Sequence, residues 1–177
     1  MQEPLDHELM ENVRRGEQDA FAVLIRRHQV PLLNFFRRLG ANSESEDLVQ
    51  DVFLRLYRYR DRYVHNAKFT TFLYTLARHV WADRWRKLQR ILRIQERAKQ
   101  EMITECDGNM GRVRDAMDTQ QALEQLPDKL RIVLVMSICQ GLRYNEIGEA
   151  LGIPEGTVKS RVFLALKRLK EIYHDQT

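Results

Sequence analysis

The sequence predicts an all-α protein. Across its 177 residues, apolar side chains recur at spacings of three and four almost everywhere, and the alternation typical of strands is rare. No Asn-Gly or Asp-Gly pair stands between two alternating segments, so no hairpin is indicated. Hydrophobic residues make up 44% and charged residues 31% of the chain, a balance typical of globular proteins. This length predicts one or two compact units of under about 100 residues each.

Two helices are predicted at the N-terminus. The first runs from about Asp6 to Arg15 and stops at Gly16. The second runs from about Gln18 to Leu39 and stops at Gly40. We expect a bend in it at Pro31, because proline lacks the amide hydrogen that the helical ladder requires.

The third helix is predicted to open at a capping box formed by Ser43 and Glu46. Leu54 lies away from the apolar face of this helix and is ringed by polar and charged side chains. An exposed leucine in that setting indicates either a protein-docking patch or an ordinary solvated surface. The predicted core face consists of Leu48, Val49, Val52, Phe53 and Leu56, and the ring around Leu54 of Asp47, Gln50, Asp51 and Arg58.

The fourth helix begins near Phe69, continues past Leu88 and carries two different faces. Rings can stack on unstacked bases and arginine can hold a backbone, so an aromatic and basic stripe is typical of single-strand binding. Burial of both faces in a bundle is the alternative. At 100° per residue the apolar face collects Phe69, Phe72, Leu73, Leu76, Ala77 and Val80, and the opposite stripe collects Tyr74, Arg78, Trp81 and Trp85.

A basic segment and then a linker follow. Seven Lys or Arg residues lie between Arg84 and Lys99 against one acid, a pattern that suits a phosphate backbone. The periodicity fades after about Gln95, and turn formers concentrate at residues 107–111. The predicted domains are therefore residues 1–94 and 118–177, joined by a flexible linker at 95–117.

The C-terminal domain is predicted to begin at a cap formed by Asp118 and Gln121. Pro127 separates two helices, and a further apolar face ends at Gly141. Two helical patterns then flank a turn that contains Gly152 and Pro154, which is typical of a helix-turn-helix. The first apolar face consists of Leu130, Val133, Leu134, Ser137 and Ile138, and the last helix has a core stripe of Val158, Val162, Ala165, Leu166 and Leu169.

The remaining features exclude several classes. No segment has the length and apolar character of a membrane span, and the N-terminus is polar, so we expect a cytoplasmic protein without membrane insertion. Cys139 is predicted to lie in the core and Cys106 to be incidental, with no metal site. No clustered carboxylates with histidine, phosphate loop or activated nucleophile occur, so we expect neither catalysis nor a cofactor.

Three segments, EDLVQDVFLRLYR from Glu46, FTTFLYTLARHVWADRWRK from Phe69 and the final stretch from Leu123, resemble regions two and four of the sigma-70 family, in its short extracytoplasmic-function branch. The resemblance implies that the chain binds core RNA polymerase and directs transcription initiation at promoter DNA. It also implies an anti-sigma factor as a partner. A helix-turn-helix regulator that never joins polymerase is the alternative, but it leaves the third helix and the aromatic stripe without a purpose.

The resemblance further implies residue roles, which fall into three sets. The third helix docks on the polymerase clamp through Asp47, Gln50, Asp51, Leu54 and Arg58. The minus-ten element is recognised and melted by His65, Asn66, Lys68, Tyr74, Arg78, His79, Trp81 and Trp85. The minus-thirty-five duplex is read by Thr157, Lys159, Ser160, Arg161, Phe163 and Lys167, with arginine able to read guanine bidentately.

Four positions depart from the family pattern. Phe72 stands where the family usually has tryptophan, and His79 stands where it has asparagine, so the minus-ten base preference is open. Leu164 and Leu166 replace arginines of the last helix. Leu166 is predicted to face the core and Leu164 to face outward, without a DNA role.

Overall fold

The computed structural model describes residues 4–64, 68–100 and 119–174, with the side chains of 92–100 excepted. Within these ranges the chain is helical and contains no strand, as predicted. The helices are α1 (Asp6–Arg14), α2 (Gln18–Arg38), α3 (Ser45–Arg58), α4 (Phe69–Gln100), α5 (Thr119–Glu124), α6 (Asp128–Leu134), α7 (Tyr144–Leu151) and α8 (Glu155–His174). A 3-10 turn at Arg60–Arg62 follows α3, and a π-helical turn at Val135–Cys139 follows α6.

Helices α1 to α4 form the N-terminal bundle, in which α2 packs against α1 and α3, and α3 against α4. Its core is built around fully buried side chains such as Phe35, Phe36, Leu56 and Leu73. The apolar faces predicted for α3 and α4 are buried, except that Phe72 is only partly so. Regular helical periodicity is therefore enough to identify the core of this domain.

The predicted capping box of α3 is wrong. The helix begins at Ser45, two residues after the predicted cap, and the capping position is Glu44 without a side-chain cap. The hydroxyl of the buried Ser45 donates to the carbonyl of Asn42 at 3.0 Å. Local turn geometry at residues 42–45, rather than a Ser43–Glu46 pair, starts this helix.

Helices α5 to α8 form the C-terminal domain and contain the predicted helix-turn-helix. Helix α7 ends at Gly152, which has the left-handed conformation (φ 67°) that glycine tolerates. A Cβ on Gly148 would lie only 2.8 Å from the carbonyl oxygen of Ile153, so the turn can pack closely against α7 only because residue 148 is glycine. These two glycines set the approach of α8 to α7.

A π-helical turn overturns part of the predicted core of α6. The amide of Gln140 donates to the carbonyl of Val135 at 3.2 Å, a bond five residues long that widens the turn and shifts its phase. Val135 and Met136 consequently point inward, whereas Ile138 and Cys139 are exposed. The predictions that Ile138 and Cys139 are core residues are wrong for this reason. Cys106 lies outside the described residues.

The two domains pack against each other, with α4 against α7 and α2 against the π-helical turn. Lys68 Nζ lies 2.5 Å from Glu146 Oε1, and Arg131 donates to the carbonyl of Leu39 at 2.9 Å. Gln120 donates to the carbonyl of Arg37 at 2.8 Å. The buried hydrophobic residues of the two domains also form one continuous core.

Helix α4 extends to Gln100, six residues into the segment predicted as the linker. The rest of that segment and the predicted Asp118 cap lie outside the described residues. Over the described ranges, no helix combines the length and apolar character needed to cross a membrane.

Candidate partner and nucleic-acid interfaces

The outer face of α3 presents the five side chains predicted to dock on a protein partner. Asp47, Gln50, Asp51, Leu54 and Arg58 recur at three and four spacing and are all exposed. The Leu54 side chain is 63% exposed. The sequence prediction of a leucine surrounded by charge on one helix face thus matches the geometry. We call these five residues the docking face.

A groove of about 580 Å³ runs alongside Leu54 and was not anticipated from the sequence. Its apolar walls come from two helices: Phe21 and Ile25 of α2, and Phe53 and Tyr57 of α3. The rings of Phe21 and Tyr57 lie 5.3 Å apart and hold this wall in place. A helix pattern read one segment at a time cannot reveal a groove that two helices share.

Tyr74 does not lie on an exposed stripe, contrary to the prediction. Only 4% of it is exposed, because the C-terminal domain covers this part of α4. The Tyr74 hydroxyl donates to Gln140 Oε1 at 2.5 Å, and the ring packs edge-on against Phe35 with centroids 5.3 Å apart. Burial raises the pKa of the Tyr74 phenol well above its usual range. In this arrangement no base can stack on Tyr74.

Trp81 is also buried, again contrary to the prediction, but its contacts lie within the N-terminal domain. Its ring centroid is 6.5 Å from that of Phe36, and the Arg84 guanidinium lies over the ring at 4.9 Å from its centroid. Arg84 Nε in turn donates to Glu44 at 2.7 Å. Trp81 is thus enclosed by its own domain, and burial of both faces, the alternative left open by the sequence, holds at Trp81 and Tyr74.

Two residues of the predicted stripe remain accessible, Arg78 in part and Trp85 more fully, and the neighbouring His79 is exposed as well. Arg78 Nη2 lies 2.7 Å from His79 Nε2. The pKa of His79 is lowered, mainly because burial disfavours its charged form and also because Arg78 and Arg55 lie nearby. His79 is therefore neutral near pH 7. His65 and Asn66 lie outside the described residues, and Lys68 faces Glu146 of the other domain.

The last helix exposes most of the residues predicted to meet duplex DNA. Lys159, Ser160, Phe163 and Lys167 are exposed, whereas Thr157 and Arg161 are half-buried. The Ser160 hydroxyl donates to the carbonyl of Gly156 at 2.9 Å. No three His, Cys, Asp or Glu side chains gather as a metal site anywhere in the described ranges.

The two leucines of α8 that depart from the family pattern are both about half exposed. Leu164 is 47% exposed, as its predicted outward direction requires. Leu166 is 46% exposed, so its predicted place in the core stripe is wrong. The stripe is instead formed by Val158, Val162 and Ala165, with Leu169 packed against the same core. Leu166 lies at the edge of this stripe, roughly 40° round the helix from Val162, 80° from Val158 and 100° from Ala165.

Comparison with known proteins places this arrangement in context. The family model for sigma-70 region 2 matches residues 24–91, and that for sigma-70 region 4 matches residues 116–169. The ECF RNA polymerase sigma factor SigW of Bacillus subtilis is 34% identical over 94% of this chain and 95% of its own length. The ECF RNA polymerase sigma-E factor of Escherichia coli K12 is 29% identical over 90% of each chain.

Two solved structures share the fold. CnrH, solved in complex with the cytosolic domain of CnrY, superposes with a TM-score of 0.74 at 23% identity, covering 97% of this chain and 99% of its own. The sigma factor RpoE of Bartonella quintana, solved with the anti-sigma factor NepR, gives 0.68 at 23% identity over 85% and 94%.

Proposed function

The chain belongs to the sigma-70 family, in its extracytoplasmic-function branch, and we propose that it directs core RNA polymerase to a particular set of promoters through the surfaces described above. The docking face of α3 is the strongest support for this proposal, because its five side chains are exposed and the central one, Leu54, is apolar. In this reading residues 1–94 bind polymerase and the minus-ten element, residues 95–117 connect, and residues 118–177 bind the minus-thirty-five element.

Polymerase docking is proposed for Asp47, Gln50, Asp51, Leu54 and Arg58. A buried apolar residue enclosed by a polar rim is the usual composition of an energetically important contact. Leu54 supplies such a centre, and the groove beside it offers space for a side chain of the partner. The charges around it steer and orient more than they bind.

Minus-ten recognition is proposed for His65, Asn66, Lys68, Tyr74, Arg78, His79 and Trp85. Trp85 and His79 are accessible as the protein stands, so they can meet single-stranded DNA directly. Tyr74 can stack on a base only after the C-terminal domain has moved away from α4, because that domain covers it. Trp81 supports the site from inside, by holding α4 on Phe36 and Arg84.

Minus-thirty-five recognition is proposed for α8. Lys159 and Lys167 are exposed cations that can neutralise phosphates. Thr157 and Ser160 lie in the first turns of the helix, where contacts with the groove are expected. Half-buried Arg161 lies on the flank of α8, a position that favours a phosphate over a base edge.

We propose that an anti-sigma protein controls the chain, since a sigma factor of the same fold has been solved with the anti-sigma factor NepR. The exposed apolar centre of the docking face suits a competitor of polymerase, because covering Leu54 would block both association and promoter selection. The chain itself acts through binding energy and without catalysis. An anti-sigma protein that binds the wild type but not a docking-face variant would support this mechanism.

Run-off transcription tests the proposal directly. Core RNA polymerase is supplied with a pool of promoter fragments from the same genome, with and without this protein. Discrete transcripts that require the protein are expected, and their start sites define both promoter elements. No transcripts together with no binding to core polymerase would refute the proposed function and favour a stand-alone helix-turn-helix regulator.

A further inference from the structure

The outward side of α8 carries few groups that can read bases by hydrogen bonding. Val158, Val162 and Ala165 define the inward side. At 100° per residue, Ser160 and Lys167 lie at the centre of the opposite side, with Phe163 and Leu164 roughly 50° to either side of it. Of these four, only Lys167 belongs to the side chains that can bind base edges bidentately, and none is Arg, Asn or Gln.

The polar residues at the centre have limited capacity for base readout. The hydrogen of the Ser160 hydroxyl is engaged by the carbonyl of Gly156 at 2.9 Å, so this hydroxyl is left as an acceptor. Lys167 offers a point charge without a fixed geometry. Arg161 lies roughly 110° from the centre and is half-buried. Of the two side chains at the centre, only Lys167 can therefore donate a hydrogen bond to a base edge.

The same side also carries two exposed apolar side chains. Phe163 is 69% exposed and Leu164 is 47% exposed. Exposing such side chains to water is costly, and they lie on the side of α8 opposite the one that packs against α6 and α7. The major groove presents one apolar feature, the C5-methyl group of thymine, and side chains such as phenylalanine contact it.

We infer that Phe163 and Leu164 contact thymine C5-methyl groups and thereby set the base preference of the minus-thirty-five element. The inference rests on the proposed function, in which α8 enters that duplex, and it gives Leu164 the DNA role that the sequence did not. Each methyl group buried against either side chain is expected to strengthen binding about fourfold.

Deoxyuridine substitution tests this without changing any hydrogen-bonding group, because it removes only the C5-methyl. Duplex fragments are selected by the holoenzyme from a library randomised over the minus-thirty-five element. Each thymine of the selected element is then replaced singly by deoxyuridine, and the affinity is measured. Wild-type protein is expected to lose about fourfold at one or two positions.

Variants assign the contact to a side chain. Phe163→Ala and Leu164→Ala should each weaken binding to the thymine duplex and abolish the loss at one deoxyuridine position. Leu166→Ala is the matched control, since Leu166 is equally exposed but lies roughly 105° from the centre of the outward side. It should retain the full deoxyuridine effect.

The outcomes separate this inference from the proposed function. A holoenzyme that selects promoters but is indifferent to deoxyuridine at every position would overturn the inference and leave the function standing. A chain that never joins polymerase would overturn the proposed function, and the inference about the minus-thirty-five element would fall with it. If neither the holoenzyme nor the isolated chain binds any duplex, the proposed function and the inference are both overturned.

Discussion

Helices α3 and α4 both carry a side that the sequence marked as functional, but only one of the two is accessible. The docking face of α3 is exposed along its whole length, with Leu54 at its centre. The aromatic side of α4 is largely covered, by the C-terminal domain at Tyr74 and by its own domain at Trp81. The surface proposed for polymerase is thus exposed in the free protein, whereas part of the surface proposed for DNA is buried.

The strongest test of this contrast is the stability of two alanine variants. Tyr74→Ala should lower the free energy of unfolding by about 3 kcal/mol, because it empties a buried site between Phe35 and Gln140. Leu54→Ala should change it by less than about 0.5 kcal/mol, because the side chain is exposed. Denaturant titration of the full chain measures both. Equal, small effects would mean that Tyr74 is uncovered in solution and that the domains are apart.

Binding to polymerase should show the opposite ranking. Leu54→Glu places a charge at the centre of the docking face and is expected to weaken association with core polymerase by about thirtyfold or more, without loss of stability. Val30→Glu, an equivalent change at an exposed valine of α2, is the control and should bind as the wild type does. Fluorescence anisotropy of labelled protein measures the affinity. Normal association of both Leu54→Glu and Asp51→Ala would remove the docking assignment.

A smaller effect is expected from the ion pair between the domains. Burial of Glu146 raises the pKa of its carboxyl, but hydrogen bonds from Lys68 and the Arg143 amide, together with their charges, outweigh this and lower it overall. A depressed folded pKa contributes stability that is present above the ordinary value of about 4.5 and is lost as pH falls through the folded value. The free energy of unfolding should therefore decline as the pH falls below about 4.5.

Substituting each partner of this ion pair in turn tests its contribution to stability. Lys68→Ala should cost about 1 kcal/mol or less at neutral pH, since Lys68 is well exposed. Glu146→Gln should flatten the acid limb, which thermal unfolding between pH 3 and pH 7 would measure. A wild-type acid limb in both variants would show that the ion pair contributes nothing to domain closure.

The smallest effect is expected at His79. Because its pKa lies below 6.5, the folded protein holds this side chain neutral, and stability is lost as pH falls from about 6.5 through the folded value. Its ring resonances in an NMR titration should show a midpoint below 6.5. Arg78→Gln should move the midpoint upward, because one repelling charge is removed. A midpoint at or above 6.5 in the wild type would contradict this environment.

The contrast between the helices also explains what the sequence could predict. Helical periodicity locates the core within one domain, because each buried residue has further apolar residues three and four positions away along the same helix. It therefore identified the core faces of α3 and α4, the exposed Leu54 and the helix-turn-helix. It could not reveal that Tyr74 meets Gln140, since that contact joins residues 66 apart in different domains.

Irregular backbone accounts for most of the other errors. The π-helical turn at Val135–Cys139 breaks the three-and-four rule, so Ile138 was assigned to the wrong side. Cys139 was assigned to the core because free cysteines are commonly buried, but it is exposed. The first turn of α3 depends on Ser45 and Asn42, which no capping rule anticipated. The predicted core stripe of α8 was too wide at Leu166. A leucine at the edge of an apolar stripe can face either the core or the solvent, and periodicity alone does not distinguish the two.

The hydrogen bond between Tyr74 and Gln140 makes domain closure and capture of a melted base competitors for one aromatic ring, if Tyr74 stacks as proposed. The two equilibria are then linked: the apparent affinity for open promoter DNA falls in proportion to the fraction of molecules that are closed. The Nε2 group of Gln140 also donates to the carbonyl of Pro31 at 3.3 Å. In the closed arrangement both the oxygen and the nitrogen of the Gln140 side-chain amide are therefore hydrogen-bonded to the N-terminal domain. A closed chain would then bind single-stranded DNA more weakly than one whose two domains are apart.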